Sequence, residues 1–242
     1  MRDIESDIAL ELTMGDKMRA GINLSNFLLV SGADEEGKPT GVAPDMAKAI
    51  GGSLGYEVEM VCFPSPGVLA DAASKGVWDI GLIAAEPARA ELIKFTSAYV
   101  EIEATYMVRR GLDSVQLNEI DRPEIKIGVA DRSAYELYLT RTLKSAELVR
   151  GKGLPGAIQL FVDAKVDVLA GLRPALLDDS ERLDGRVLEG CFTTVQQAIG
   201  TLRSNKKMAK HLTLFVESAK KNGLVGELIK KHGMEGRLLV AA

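Results

Sequence analysis

Ile4, Ile8 and Leu12 recur at four-residue spacing with acidic residues between them, and this spacing predicts an amphipathic helix in an N-terminal extension over residues 1–17. Past Gly15 the pattern changes. Residues 18–24 alternate loosely and read as a strand, and residues 34–41 crowd glycine and proline among charges and read as a turn. Pro44 and Asp45 open a helix with an apolar stripe of Met46, Ala49 and Ile50, and Gly51, Gly52 and Gly55 gather where it should stop. A strand over 58–63, a helix over 67–75, a break at Gly76 and a strand over 78–84 complete the alternation. Strand and helix in alternation predict a mostly parallel sheet covered by helices.

The second half repeats this unit. Residues 73–82, with Trp78 and Asp79 before the apolar run, match residues 161–170, with Val166 and Asp167 before theirs: helix, small turn, aspartate, buried strand. A strand over 125–130 and a helix over 134–143 precede the second copy as a strand and a helix precede the first. The fold class is α/β, in two Rossmann-like lobes. Lobe one is discontinuous, 18–104 with 199–242, and lobe two is 105–198. The polar stretch 111–123 suits the entry into lobe two, and a strand over 196–202 leaves it. The helices over 208–222 and 225–232 need a surface to pack on, and lobe one is the natural place.

Composition narrows the chemistry. A chain of 242 residues, 46% apolar and 26% charged, is an ordinary folded protein. Thirty basic and thirty-four acidic residues give a net charge of −4, which offers no footprint for a nucleic acid backbone. Cys62 and Cys191 are too few and too far apart for a zinc site or a disulfide framework. No stretch is apolar for long enough to span a bilayer, and residues 1–7, with three acids, do not read as a signal peptide. His211 and His232 sit in lysine-rich segments away from carboxylate clusters, so neither reads as a metal ligand or catalytic base.

Arg19-Ala-Gly-Ile-Asn23, Gly41-Val-Ala-Pro-Asp45-Met-Ala-Lys-Ala-Ile50, Trp78-Asp79-Ile, Pro87-Ala-Arg89-Ala and Phe95-Thr-Ser-Ala-Tyr99, in this order and spacing, resemble the type II periplasmic solute-binding proteins. The nearest branch is the polar amino-acid-binding family, family 3, of ABC importers, and the likeness runs from Arg19 to Gly233. It implies two lobes joined by two crossover strands, with hinge residues near Thr105 and Ala198, closing over a small ligand without changing it. It also implies a periplasmic location, a membrane permease as partner, no cofactor, no metal, and a monomer, with the N-terminal helix as a route to a dimer.

In such proteins the arginine that here is Arg89 forks the ligand's carboxylate, a task for which a planar guanidinium offers paired donors. It follows the strand ending near Ala84, in what reads as the first turn of a short helix opened by Pro87; a surface pairing with Glu86 or Glu91 is the structural alternative. Ser133 opens Ser133-Ala-Tyr-Glu136, a capping box at a helix start where α/β folds also bind ligands. Arg132 adds a second positive charge or faces water. Asn23, Asn26 and Phe27 follow the first strand, where relatives carry a polar residue and an aromatic platform; turn formers and core are the alternatives. Gln197 lies near the second crossover, and Tyr99 and Tyr106 read as packing residues.

The chain departs from the family at Leu172-Arg173, where relatives carry the aspartate that neutralises the ligand's ammonium group. Either Glu86 supplies that charge or the ligand is a plain organic acid. Arg173 pairs with Asp178 or Asp179, or adds a second anion-binding charge. Two other functions stay open: a dehydratase-like enzyme using Glu86 as its acid, and a metabolite sensor outside transport.

Overall fold

A computed structural model describes residues 17–112 and 115–242, so the helix expected from Ile4, Ile8 and Leu12 lies outside the described residues. The chain forms two compact units. The first ends at Glu101 and resumes over Gln196–Ala242; the second is Ile102–Val195.

In the first unit β1 (Lys17–Asn23) is followed by the two-residue strands β2 (Gly32–Ala33) and β3 (Pro39–Thr40), helix α1 (Val42–Leu54), β4 (Glu57–Phe63), α2 (Pro66–Ala72) and β5 (Ile80–Ala84). β4 and β5 lie on opposite sides of β1 and both run parallel to it. β6 (Ile93–Phe95) leads to β7 (Val100–Arg109), within which the chain leaves the unit.

The second unit continues with β8 (Lys126–Ala130), α3 (Ala134–Thr142), β9 (Glu147–Gly151), α4 (Gly153–Val162), β10 (Val168–Leu172), α5 (Arg173–Ser180) and β11 (Gly185–Val187). β9 and β10 flank β8, both parallel to it, so the topology of β8, β9 and β10 copies that of β1, β4 and β5. β7 closes this sheet antiparallel to β10 and β11. The described part of the polar stretch 111–123 therefore lies wholly inside the second unit and is not its entry. The chain returns within β12 (Thr193–Leu202), antiparallel to β5 and β6, and ends with α6 (Lys206–Lys221), α7 (Leu224–Lys231) and β13 (Leu239–Val240) in the first unit.

The repeated aspartate explains why both halves adopt one topology. Asp79 donates its backbone N–H to the Arg19 carbonyl at 2.9 Å and accepts the Arg19 N–H on its carboxylate at 2.8 Å. Asp167 does the same to Lys126, at 2.9 and 3.0 Å. In each unit a carboxylate thus extends the parallel ladder one step before the third strand begins. Asp79 carries more: it holds the Arg19 guanidinium at 2.9 Å, and its own carbonyl accepts from Thr201 Oγ1 at 2.8 Å, which ties β12 to the same corner.

The residue before each aspartate fills a slot made by strand glycine. Gly21 and Gly81 are opposite partners in β1 and β5, and a Cβ on either would stand 3.2–3.3 Å from the Trp78 ring. Trp78 is 1% exposed, with Nε1 donating to the Leu69 carbonyl. In the second unit Gly128 faces Val166 in the corresponding way, at 3.0 Å.

Helix α1 starts two residues earlier than Pro44 suggests, because Gly41, at φ 142°, makes the turn into it; a Cβ there would lie 2.3 Å from the Leu29 carbonyl. Gly55 ends the helix at φ 75°. The C-terminal helices pack on the first unit, and the α7 end reaches α1, where Asp45 accepts from Lys231 and from His232, each at 2.8 Å. Burial raises the Asp45 carboxyl, but Lys231, His232 and Lys48 outweigh it and hold the group below its ordinary value.

Asp79→Ala leaves Arg19 in a site where its side chain is only 12% exposed, with its carboxylate partner gone, and is expected to cost about 3 kcal/mol or more. Asp167→Ala removes the matching ladder bond from an exposed position and is expected to cost about 1 kcal/mol. Urea midpoints of the two variants check the order. The depressed Asp45 group contributes stability that is complete above the normal carboxylate range and lost as pH falls through its lowered native value, below about pH 4. Asp45→Asn should therefore flatten the acid limb of stability against pH.

Candidate functional site

In each unit the strand order reverses at the first strand, β1 or β8, and a ligand of an open α/β sheet meets the carboxyl ends of the strands at such a point. Nine of the ten candidate residues fall at or just past the ends of these strands or of a strand paired with them, and Gln197 lies on β12, paired with β5. Seven are in the first unit and three in the second.

Arg89 is 6% exposed, and its Nη1 donates to the Ala84 carbonyl at 2.7 Å, which turns the side chain back toward the β5 end. The segment after β5 is a run of hydrogen-bonded turns rather than the helix that Pro87 suggests. The N–H groups of Arg89 and Ala90 both bond the Glu86 carbonyl at 3.0 Å, and the ladder stops when the chain enters β6. Gln197 is 5% exposed and stands opposite Ala84 in β12. Ala84, Arg89 and Gln197 are thus brought together, with Glu86 half-buried one turn before Arg89.

On the adjacent strand, Asn23 Oδ1 accepts from the backbone N–H and hydroxyl of Ser25, at 3.2 and 2.8 Å, and so forms the turn that ends β1. The Asn26 carbonyl caps the next turn by accepting from Leu29 and Val30. Its side-chain Oδ1 is buried and has no hydrogen-bond partner among the described residues. Phe27 is 40% exposed, which rules out the core role and leaves its ring on the surface of the loop.

Tyr99 is a packing residue that also buries a polar atom. It is 1% exposed, and its hydroxyl has no hydrogen-bond partner among the described residues; burial drives the group well above the usual phenol range. Tyr106 packs on Phe192 with ring centroids 4.5 Å apart.

In the second unit Ser133 caps α3, its Oγ accepting from the Glu136 N–H at 3.2 Å. The answering bond differs from the expected capping box. Ser133's own N–H is already bonded to Ala130, and Glu136 Oε2 accepts instead from the N–H of Arg132, which is held at φ 57°. Arg132 is exposed. Glu136, 3% exposed, also accepts from Thr140 and pairs with Arg150 at 2.8 Å, a supporting set that no spacing in the sequence announced. Burial pushes the neighbouring Tyr135 hydroxyl up to about 12, against hydrogen bonds with Ser133 and Ala130.

Arg173 is not set beside Asp178 or Asp179. It pairs with Glu103 across the β10–β7 ladder and donates to the Leu188 and Gly190 carbonyls, while Asp179 pairs with Arg182. Its charge is answered by the protein itself, so Arg173 no longer argues for a doubly anionic ligand. Among the described residues no group of three His, Cys, Asp or Glu side chains could hold a metal ion. His232 is spent on Asp45, and His211 lies 3.0 Å from Ser53 Oγ. No described helix is long and apolar enough to cross a membrane.

A family model described as bacterial extracellular solute-binding proteins, family 3, matches residues 22–235. No curated protein matches the chain. Among solved structures, a binding component of an ABC transporter from Wolinella succinogenes complexed with lysine is similar at 18% identity and a TM-score of 0.76, covering 90% of this chain and 96% of that one. The amino acid ABC transporter substrate-binding protein AbpA from Streptococcus pneumoniae, bound to L-arginine, is similar at 19% identity and a TM-score of 0.73, covering 96% and 97%. The ancestral amino-acid-binding protein AncCDT-1, a precursor of cyclohexadienyl dehydratase, is similar at 21% identity and a TM-score of 0.74, covering 93% and 98%. At these identities the likeness speaks for the fold, and the family match spans most of the sequence. The protein has the α/β fold of type II periplasmic binding proteins and belongs to the family 3 solute-binding proteins.

Proposed function

We propose that the chain is the capture component of an ABC importer. It takes a small carboxylate-bearing ligand, an amino acid or a related organic acid, at the carboxyl ends of β1 and β5, and delivers it to a membrane permease from the periplasm. The observation that carries this reading is Arg89, a cation 6% exposed whose direction is fixed by the Ala84 carbonyl at the strand switch point of a family 3 chain. A guanidinium there matches a carboxylate with paired, charge-assisted hydrogen bonds. Glu86, half-buried just past β5, is the candidate acid for an ammonium group, Phe27 offers a ring face, and Asn23, Asn26 and Gln197 offer polar atoms. In the second unit the helix end capped by Ser133 is the corresponding candidate, with Arg132 beside it. Arg173 is set aside because Glu103 holds it.

Two of the similar structures hold lysine and L-arginine, which favours amino acids. The dehydratase precursor among them motivates a second reading, in which Glu86 protonates a leaving group. Recovery of chemically unchanged ligand from the complex separates binding from that chemistry.

A ligand present at about a hundred times its Kd should add roughly 2.7 kcal/mol to stability and raise Tm by several degrees. The panel to test is amino acids and small organic acids. Arg89→Met, which keeps the packing volume and removes the fork, should abolish the shift while the circular dichroism spectrum stays unchanged. A shift that survives in Arg89→Met removes Arg89 from the site. Glu86→Gln should lose the response to amino acids and keep any response to acids without an ammonium group; equal responses to both classes would remove Glu86 from that role.

A further inference from the structure

Charge is segregated along this chain. Residues 203–242 hold nine lysines and arginines against Glu217, Glu227 and Glu235, a net +6, so the preceding 202 residues carry −10. Much of the excess lies on one helix. The buried stripe of α6 is Met208, Leu212, Val216 and Ala219, and the opposite face presents Lys206, Lys207, Lys210, Leu214 and Lys221, with Glu217 the one acid among them. Leu214 is 63% exposed, the highest value among the large apolar side chains described. From Lys206 to Lys221 the face runs about 22 Å.

At its N-terminal end the helix bears lysines that oppose it, whereas Lys221 in the last turn suits the macrodipole. Lys206 and Lys207 occupy its first turn, where the positive end of the macrodipole favours acids; no acid stands there, and Asn205 makes no side-chain cap. Lys206 and Lys210 also repel each other at i,i+4 spacing. Glu217, the one acid in α6, is drawn to Ser97 and to Lys220, 3.1 Å away. The exposed lysines lie outside the buried stripe, and local electrostatics disfavours those of the first turn, a pattern characteristic of surfaces kept for function.

We propose that this face of α6 docks on a bilayer surface bearing anionic headgroups. Charge complementarity calls for an anionic partner, and the shape of the face selects a lipid surface. Lysine ammonium groups are flexible point charges without the planar fork that reads one carboxylate, and the convex face offers no exposed aromatic anchor for a protein hot spot. A field of phosphates suits Lys206, Lys210 and Lys221, and Leu214 among them enters the headgroup layer. The inference is independent of which solute the chain binds.

Sedimentation with vesicles tests it, using phosphatidylcholine alone and an equal mixture with phosphatidylglycerol. The protein should sediment with the mixed vesicles only. Binding should fade as salt shortens the Debye length from about 10 Å at 0.1 M to about 3 Å at 1 M. Lys206→Gln with Lys210→Gln should weaken partitioning roughly 30-fold, from the contribution each lysine makes near an anionic surface, while Tm stays equal or rises. Leu214→Ser, a change in solvent, should weaken it several-fold at unchanged Tm. Absence of binding to the mixed vesicles, equal binding to both kinds, or variants that partition like the parent would overturn the proposal.

Discussion

Asp79 ties together the corner on which the first unit is built. One residue satisfies the Arg19 backbone and neutralises the Arg19 side chain with its carboxylate, and holds Thr201 of β12 with its backbone carbonyl, so β1, β5 and β12 converge on a single buried aspartate. A parallel strand pair has no tight turn to fix its register, since its connection is a whole helix and a further strand. A carboxylate that occupies one ladder position and cannot slip without stranding a charge supplies that register from within. Register in turn decides where the strand ends fall, and the candidate site is built from residues just past those ends: Asn23 and its loop at the end of β1, and Glu86 and Arg89 beyond β5.

The second unit solves the same problem with less. Asp167 makes both ladder bonds but faces Lys126, whose exposed side chain needs no internal partner, and Val166 fills the slot that Trp78 fills in the first unit. Repetition of the aspartate and of an apolar residue before it was legible in the sequence because the aspartate does the same backbone job in both units and the residue before it fills the same slot beside a strand glycine. The topological copy extends much further than the ten residues that match. β9 and its pairing with β8 left no trace, since Glu147–Gly151 mixes charge and aliphatic residues on a strand at the edge of its sheet. The crossings fall within long, apolar strands, β7 and β12, where crossover strands are expected near Thr105 and Ala198, whereas the polarity of 111–123 suggests an entry point further along the chain.

Legibility of the candidate site obeyed the same physics. Arg89 could be placed because a family pattern and a strand end coincide there, and its burial and its bond to Ala84 agree with that position. Phe27 could not be assigned, since an aromatic residue after a strand reads equally well as core or surface, and only its exposure decides. Arg173 shows the reverse failure. In the sequence it looked like a spare cation beside the place of a missing aspartate, but its partner Glu103 is 70 residues away on β7, and pairing across a sheet has no local signature. Capping was legible in kind but not in detail: Ser133 and Glu136 do cooperate, but Glu136 reaches Arg132 because a backbone bond had already claimed the Ser133 N–H.

Averages conceal fields. A net charge of −4 describes the whole chain and argues soundly against a polyanion wrapped over it, but an average cannot describe a surface on the scale of the Debye length, about 10 Å at 0.1 M salt. The exposed lysines of α6 lie within a few such lengths of one another on one side of one helix, where they outnumber the single acid, Glu217. The same holds in reverse for Asp45: burial raises its carboxyl, but hydrogen bonds from Lys231 and His232 and the nearby lysine charges lower it further, although the chain as a whole is acidic. Electrostatic function in this fold is therefore a property of faces and corners, and a sequence discloses it only where helical spacing sets like charges on one side.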